Sequence, residues 1–395
     1  MPHEVHTSER RSFRGCRRRW DLAYRQGFVP EEKPRALEFG IAFHIGMEHF
    51  YAPETWDTTT PEEKAHKAVT AFVEECEKQK QSYLKTMKIR ELPEDVEADY
   101  ENRIRIGTGM FAYYGTHIHP KYDDWFKPVK VEIPFSVPIQ DPDAPPVGVR
   151  SDLCCTDSPN CGQSHSNDIS DPDSRVVFAG RIDLLVEDLK YGGYYIWDHK
   201  TAAVLAANDD FLQLDDQIAS YCWALLTELG IDVRGFIYQE IRKDYPRPPK
   251  ELKRMFGGRM FSTAQTQSTI AEVFVPYVKH HDPIAYENGS YDEYIDYLNS
   301  SGAPKFHQRF VLRKDSTELD QVGKNISLEA ADMTAKGLRI YPSVGKFTCS
   351  SCAYRQPCIG MFRGEDVSFL LETTYNQTNR RYWMDQPRSS DKAGK

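Results

Sequence analysis

Two β-rich runs joined by a Gly-Gly turn constrain this chain more than any other feature. Residues 176–186 read Val-Val-Phe-Ala-Gly-Arg-Ile-Asp-Leu-Leu-Val and residues 194–198 read Tyr-Tyr-Ile-Trp-Asp, with Tyr191-Gly192-Gly193 between them. Apolar, β-branched and aromatic runs flanking two glycines predict a β-hairpin. The hairpin sets Asp183 and Asp198, with fourteen residues between them, on neighbouring strands at one end of a sheet. Lys200 follows Asp198 by two residues, so on a strand it points to the same face. Two carboxylates and an ammonium at one point are costly unless a divalent cation joins them. Mg²⁺ or Mn²⁺ takes hard oxygen ligands and keeps waters. A bound water beside Lys200 would be a nucleophile for a phosphodiester. A surface hairpin with a plain Asp198–Lys200 salt bridge has the same local sequence, so the remaining chain must decide.

The chain has 395 residues, enough for two or three domains or one large α/β domain with insertions. No apolar run approaches the ~20 residues of a membrane helix. The start, Met1-Pro-His-Glu-Val-His, is polar and has no signal h-region, so a cytoplasmic protein without membrane contact is expected. Net charge is −9, which excludes a generic polyanion binder. The positive charge is local: residues 9–19 hold six arginines and one acid, and residues 242–259 hold seven basic residues against Asp244 and Glu251. Basic patches on an acidic body fit a nucleic-acid channel, with Arg10, Arg11, Arg14, Lys253 and Arg254 as candidate contacts. A solvated loop is the other reading of 242–259.

Nine cysteines, an odd number, argue against a disulfide framework. Cys76 and Cys222 lie in helical patterns and read as buried small apolar residues. Cys349, Cys352 and Cys358 form a C-x2-C-x5-C run whose spacing lets thiolates grip one metal centre. Three thiolates leave one tetrahedral position open, and Cys16 is the natural fourth. A second group, Cys154, Cys155, Cys161 and His165, sits in the Pro/Asp/Ser-rich stretch 140–175. It reads as an insertion between two strands, with a small zinc knuckle as the alternative.

Further motifs follow the hairpin. Residues 12–28 and 38–51 carry helical spacing, the second holding Gly40 and His44. Residues 61–90 and 94–116 read as long helices forming a helical subdomain, and 129–137 alternate as a strand that includes Glu132. From Asn208 a helix is expected to run to near Gly230, with Phe211, Leu214, Ile218, Cys222, Leu225 and Leu229 as its apolar stripe. Gln217 and Tyr221 are one turn apart on it, seventeen residues beyond Lys200 at the nearer residue. Residues 233–241 form another strand, 270–300 and 318–339 are helical, and 242–259 is a loop. A β, β-hairpin, α, β order supports a mixed sheet flanked by helices.

Asp183, Asp198 and Lys200 resemble the acid-acid-lysine set of the PD-(D/E)XK nuclease superfamily. Residues 12–20, Ser-Phe-Arg-Gly-Cys-Arg-Arg-Arg-Trp, with the distant C-x2-C-x5-C run, resemble its RecB-like exonucleases, including CRISPR-associated and phage-encoded members. Gly40 to His44 and Gln217 to Tyr221 match further motifs of that branch. The resemblance implies a restriction-endonuclease-like α/β fold, with a nuclease core at 129–241 between a helical region, 1–128, and a basic and helical region, 242–345. A cysteine-rich segment follows at 346–395. It implies a metal-dependent DNA exonuclease acting at single-stranded ends in DNA repair, recombination or phage DNA processing, in the host cytoplasm if phage-encoded. His44, Asp183 and Asp198 would hold Mg²⁺ or Mn²⁺. Lys200 would orient the water, and Gln217 and Tyr221 would position the strand. Cys16, Cys349, Cys352 and Cys358 would hold a structural [4Fe–4S] cluster, with zinc as the alternative. Rival functions are a DNA-end-binding module for recombination or CRISPR adaptation with little turnover, and a zinc-stapled structural protein.

Overall fold

The computed structural model describes residues 3–30, 35–139, 176–256 and 258–377. Their centre is a six-stranded mixed sheet. Its strands are β1 (His3–Val5), β2 (Phe126–Pro138), β3 (Val176–Asp188), β4 (Tyr194–Ala202), β5 (Val233–Arg242) and β6 (His307–Leu312). The path runs β1-β3-β4-β5-β6, and β2 lies along β3. β1 with β3 and β4 with β5 are parallel, and the other pairs are antiparallel. The expected hairpin is β3–β4, with Gly192 and Gly193 at φ +71° and +90°, a backbone region glycine enters freely. Parallel neighbours need a crossover, and the chain between β4 and β5 supplies a helix.

Alternation along β4 builds two cores. Tyr195 and Trp197 join Leu184 and Val186 of β3 on one face. There they meet Phe43 and Phe50 of α2 (Arg35–Phe50), Phe72 and Cys76 of α3 (Pro61–Met87) and Phe111 of α4 (Glu94–Tyr113). The long helices therefore share one apolar cluster with the sheet rather than a core of their own. On the other face Ile196, Ile182 and Phe236 pack against Ile218, Cys222 and Leu225 of α5 (Asp216–Leu229). Leu319 and Ile326 of α6 (Ser316–Thr334) close that layer.

Three expected stretches differ from the observed elements, one of them because of capping. The helix expected from Asn208 is two helices, Asp209–Gln213 and Asp216–Leu229, because Asn208 and Asp215 each accept a backbone N–H as N-caps. Phe211 and Leu214 accordingly stay exposed at 77% and 84%. At the N-terminus, α1 (Thr7–Gly15) stops before Cys16, whose φ of −166° is extended, and helix resumes at Arg17–Trp20. Part of the loop expected at 242–259 is a small antiparallel sheet, Glu251–Phe256 with Arg259–Phe261. The two ends of the described chain meet in a third apolar cluster, Val5, Phe13, Trp20, Tyr354, Leu371 and Tyr375. There Tyr375–Gln377 pairs antiparallel with Phe28–Pro30.

Candidate active site

The hairpin register delivers the acids. Leu184 of β3 pairs with Trp197 of β4, and one step further the strands reach Asp183 and Asp198. Gly180 belongs to the same geometry: a Cβ there would stand 2.5 Å from the Phe135 ring, which itself packs edge-on against Tyr221 at 5.6 Å. Lys200 follows on the Asp198 face, its Nζ 2.8 Å from Oδ1 and 2.7 Å from Oδ2. From α2, His44 Nδ1 comes to 3.0 Å of Asp183 Oδ2. From α5, Gln217 Nε2 donates to Asp198 Oδ1 at 3.5 Å. Residues expected to cooperate from three stretches of sequence thus converge.

Burial dominates the electrostatics. It raises the Asp198 carboxyl above its ordinary value; the Lys200 ammonium opposes this and Asp183 reinforces it. Burial pulls the Lys200 ammonium down, but Asp198 and Asp183 outweigh it and leave Lys200 above its usual range. The same contest leaves His44 raised, Asp183 overcoming burial. Burial also pushes the Tyr221 hydroxyl up, so it stays protonated as a donor.

Glu132 adds to this negative charge, although sequence left its role open. β2 pairs Val131 with Leu184 and Ile133 with Ile182, so Glu132 falls opposite Asp183. Its φ of +48° is left-handed, a conformation an L-residue with this side chain adopts at a cost. It lines a small hollow with His44, Asp183 and His199, and its Oε2 lies 3.7 Å from Arg181 Nε. A non-glycine residue at positive φ leaves no signature in a sequence that otherwise alternates as a strand.

Oxygen donors with one imidazole fit a hard divalent cation. His44, Asp183 and Asp198 would hold it, with Glu132 adjacent. Among the described residues, no group of three or more His, Cys, Asp and Glu side chains is already gathered as a metal site. In the structure Asp183 faces His44 and Asp198 faces Lys200.

The four expected cluster cysteines occupy one corner, where the chain ends meet. Cys16 is buried and its Sγ accepts a 3.4 Å hydrogen bond from Ser343 N–H. The Cys352 and Cys358 thiols are raised first by burial, and each also feels Cys16 and Cys349. None of the four is joined in a disulfide. Cys154, Cys155, Cys161 and His165 lie outside the described residues.

The basic patches divide. Arg10 is wholly buried, contrary to its expected role at DNA. Its guanidinium bonds Glu329 at 2.6 Å, Asp216 at 2.8 Å and Ser220 at 3.0 Å. It therefore ties α1 to α5 and α6. A count of local charge cannot see partners more than 200 residues away. Arg11 and Arg14 remain partly exposed at 60% and 43%, beside Asp215 and Asp216. Lys253 is exposed.

A sheet that delivers two acids and a lysine to one hairpin end has the arrangement expected of a metal-dependent nuclease centre. The family model of the PD-(D/E)XK nuclease superfamily matches residues 7–359, and the chain belongs to that superfamily. Its members are nucleases that typically use Mg²⁺ or Mn²⁺ and act on DNA. A comparison with curated proteins finds no match. No helix among the described residues is long and apolar enough to cross a membrane.

Proposed function

We propose that this nuclease is an exonuclease that hydrolyses DNA from single-stranded ends. The observation that supports the chemistry is the pairing of Lys200 with Asp198, at 2.7 Å, beside the His44–Asp183 contact. His44, Asp183 and Asp198 are the proposed ligands of Mg²⁺ or Mn²⁺, which when bound supplies charge stabilisation at the phosphate and a more acidic water. Lys200 orients the attacking water and stabilises charge that builds on the phosphate oxygens. Gln217 holds Asp198 and offers its other amide atoms to the strand, while Tyr221 offers a hydroxyl and a ring face. Arg11, Arg14, Lys253 and Arg254 bind phosphates.

Cys16, Cys349, Cys352 and Cys358 are the proposed ligands of a structural [4Fe–4S] cluster that ties the chain ends together. Their common neighbourhood at the corner supports that reading. The processes it fits are DNA repair, recombination or phage DNA processing, in the cytoplasm. Digestion of end-labelled single- and double-stranded DNA with Mg²⁺ or Mn²⁺ tests the activity. Progressive shortening from single-stranded ends is expected; internal cuts only, or none, would overturn the exonuclease reading. Iron and zinc analysis of the anaerobically purified protein tests the cluster: about four iron atoms per chain are expected for a [4Fe–4S] centre.

A further inference from the structure

Arg10 has no contact with the acids of the site, yet it is wholly buried against the helix that brings Gln217 to them. Its guanidinium makes a two-pronged contact with Asp216: Nη1 is 2.8 Å from Oδ2, and Nη2 donates to Oδ1 at 3.1 Å. The same Nη1 donates at 3.0 Å to Oγ of Ser220, a residue that is itself fully buried. On its other side, Nε donates to Glu329 Oε2 of α6 at 2.6 Å. Asp216 and Ser220 are one turn apart, so Arg10 grips one ridge of α5 at its first turn. Gln217 is the residue after Asp216, about 100° further round the same turn.

This grip controls the rotation of α5. The helix packs on the sheet through Ile218, Cys222 and Leu225, whose apolar contacts are non-directional. A forked guanidinium–carboxylate pair is directional, and an ammonium in its place cannot reproduce it. Side chains end about 5–6 Å from a helix axis, so a roll of about 10° carries such an end by about 1 Å. Gln217 Nε2 stands 3.5 Å from Asp198 Oδ1, at the limit of a hydrogen bond, and a roll of that size decides whether the bond is made. We infer that Arg10 is a positioning residue for the nuclease centre: by fixing the roll of α5 it holds the Gln217 amide against Asp198. The inference rests on the proposed role of Gln217. Glu329 fastens the other side of Arg10 from α6, a helix that carries no residue proposed for the centre.

Near-isosteric variants of the full-length protein test it, each checked for folding by its melting curve. In saturating Mn²⁺, kcat and KM are read on whichever end-labelled DNA the wild type cuts. Internal cutting, which overturns the exonuclease reading, therefore leaves this test readable. Asp216→Asn and Glu329→Gln each take one carboxylate from Arg10, and both should lower the melting temperature. Only Asp216→Asn should also lower kcat, roughly tenfold, since a misplacement of about 1 Å can cost up to about a hundredfold. Equal kcat in the two folded variants would overturn the proposal. Arg10→Lys keeps the charge without the fork and should lower kcat by a similar factor, with KM changed less. Combined with Gln217→Ala, it should cleave about as slowly as Gln217→Ala alone, because it acts through that amide. Losses that multiply would overturn the positioning and leave the role of Gln217 standing; a wild-type kcat in Gln217→Ala would remove both. If Arg10→Lys does not fold, the comparison of Asp216→Asn with Glu329→Gln decides alone.

Discussion

Two charge clusters lie against the same strands, and they are balanced differently. At one, Asp198 and Lys200 pair toward α5 while Asp183 and Glu132 line a hollow with His44 and Tyr51, and the Asp198 carboxyl is raised. At the other, Asp123 accepts hydrogen bonds from Tyr51 and Tyr114, both at 2.9 Å, and from Arg309 at 2.6 Å. Arg309 also reaches Gln239 at 2.8 Å, and Gln239 accepts from the Trp197 indole at 2.9 Å. Burial works against the Asp123 charge, yet Arg309 wins and its carboxyl is lowered. At Asp123 the Arg309 pairing outweighs burial, whereas at Asp198 burial together with Asp183 outweighs the Lys200 pairing. Structural ion-pair networks perturb acids as functional sites do, so the two clusters must be told apart by experiment.

The largest test of that contrast is Lys200→Ala. Cleavage should fall on the order of a thousandfold, as when a charge-stabilising group is lost from an active site. Its melting temperature should move less than that of a variant in the Asp123 cluster, and near-wild-type cleavage would remove Lys200 from the chemistry. Arg309→Leu should behave the opposite way. Leaving Asp123 buried without its cation should cost about 3–5 kcal/mol by denaturant unfolding, while the folded fraction keeps its metal-dependent cleavage. Equal stability with lost cleavage would reverse the roles of the two clusters.

Cys16→Ser should lower both iron content and melting temperature, and by more than Cys76→Ala, since only Cys16 is a proposed ligand. Unchanged metal content would disconnect the chain ends. A smaller effect concerns pH. His307, which faces Arg309, Asp123, Lys121 and Glu272, has its folded pKa lowered to about 4 against an ordinary 6.5. The unfolded chain therefore binds the extra proton first, and this contribution to stability is complete above about 6.5 and lost as pH falls toward about 4. His307→Gln should flatten the decline of melting temperature across that window; an unchanged profile would show that other groups carry it. Smallest is the salt response. Lys253→Gln with Arg254→Gln should flatten the salt slope of single-strand binding by about 0.7 for each phosphate no longer neutralised. An identical slope would make that strand pair solvated surface.

The difference between the clusters also explains what could be read from sequence. Asp183, Asp198 and Lys200 lie within one hairpin, so strand periodicity and a Gly-Gly turn suffice to predict their meeting. Gln217 and Tyr221 follow from one helical turn, even though that helix starts at a second cap, Asp215, which periodicity concealed. The Asp123 cluster draws on Tyr51, Tyr114, Gln239 and Arg309, as much as 186 residues from Asp123, and no local pattern announces it. Arg10 shows the same limit, for its guanidinium reads as a surface charge until Glu329 and Asp216 are folded against it. The mixed sheet flanked by helices was legible from element order. The sharing of one core by α2, α3, α4 and the sheet was not, because it depends on which face each helix presents.

Calorimetric titration of Mn²⁺ into the wild type, Asp198→Asn and Asp123→Asn tests the central claim most directly. Samples are first checked for folding by their melting curves. The account predicts saturable binding to the wild type, retained in Asp123→Asn where the protein is folded, and lost or weakened by at least about tenfold in Asp198→Asn. Indistinguishable isotherms for the wild type and a folded Asp198→Asn would contradict it, and would show that the hairpin acids are not where this nuclease holds its metal.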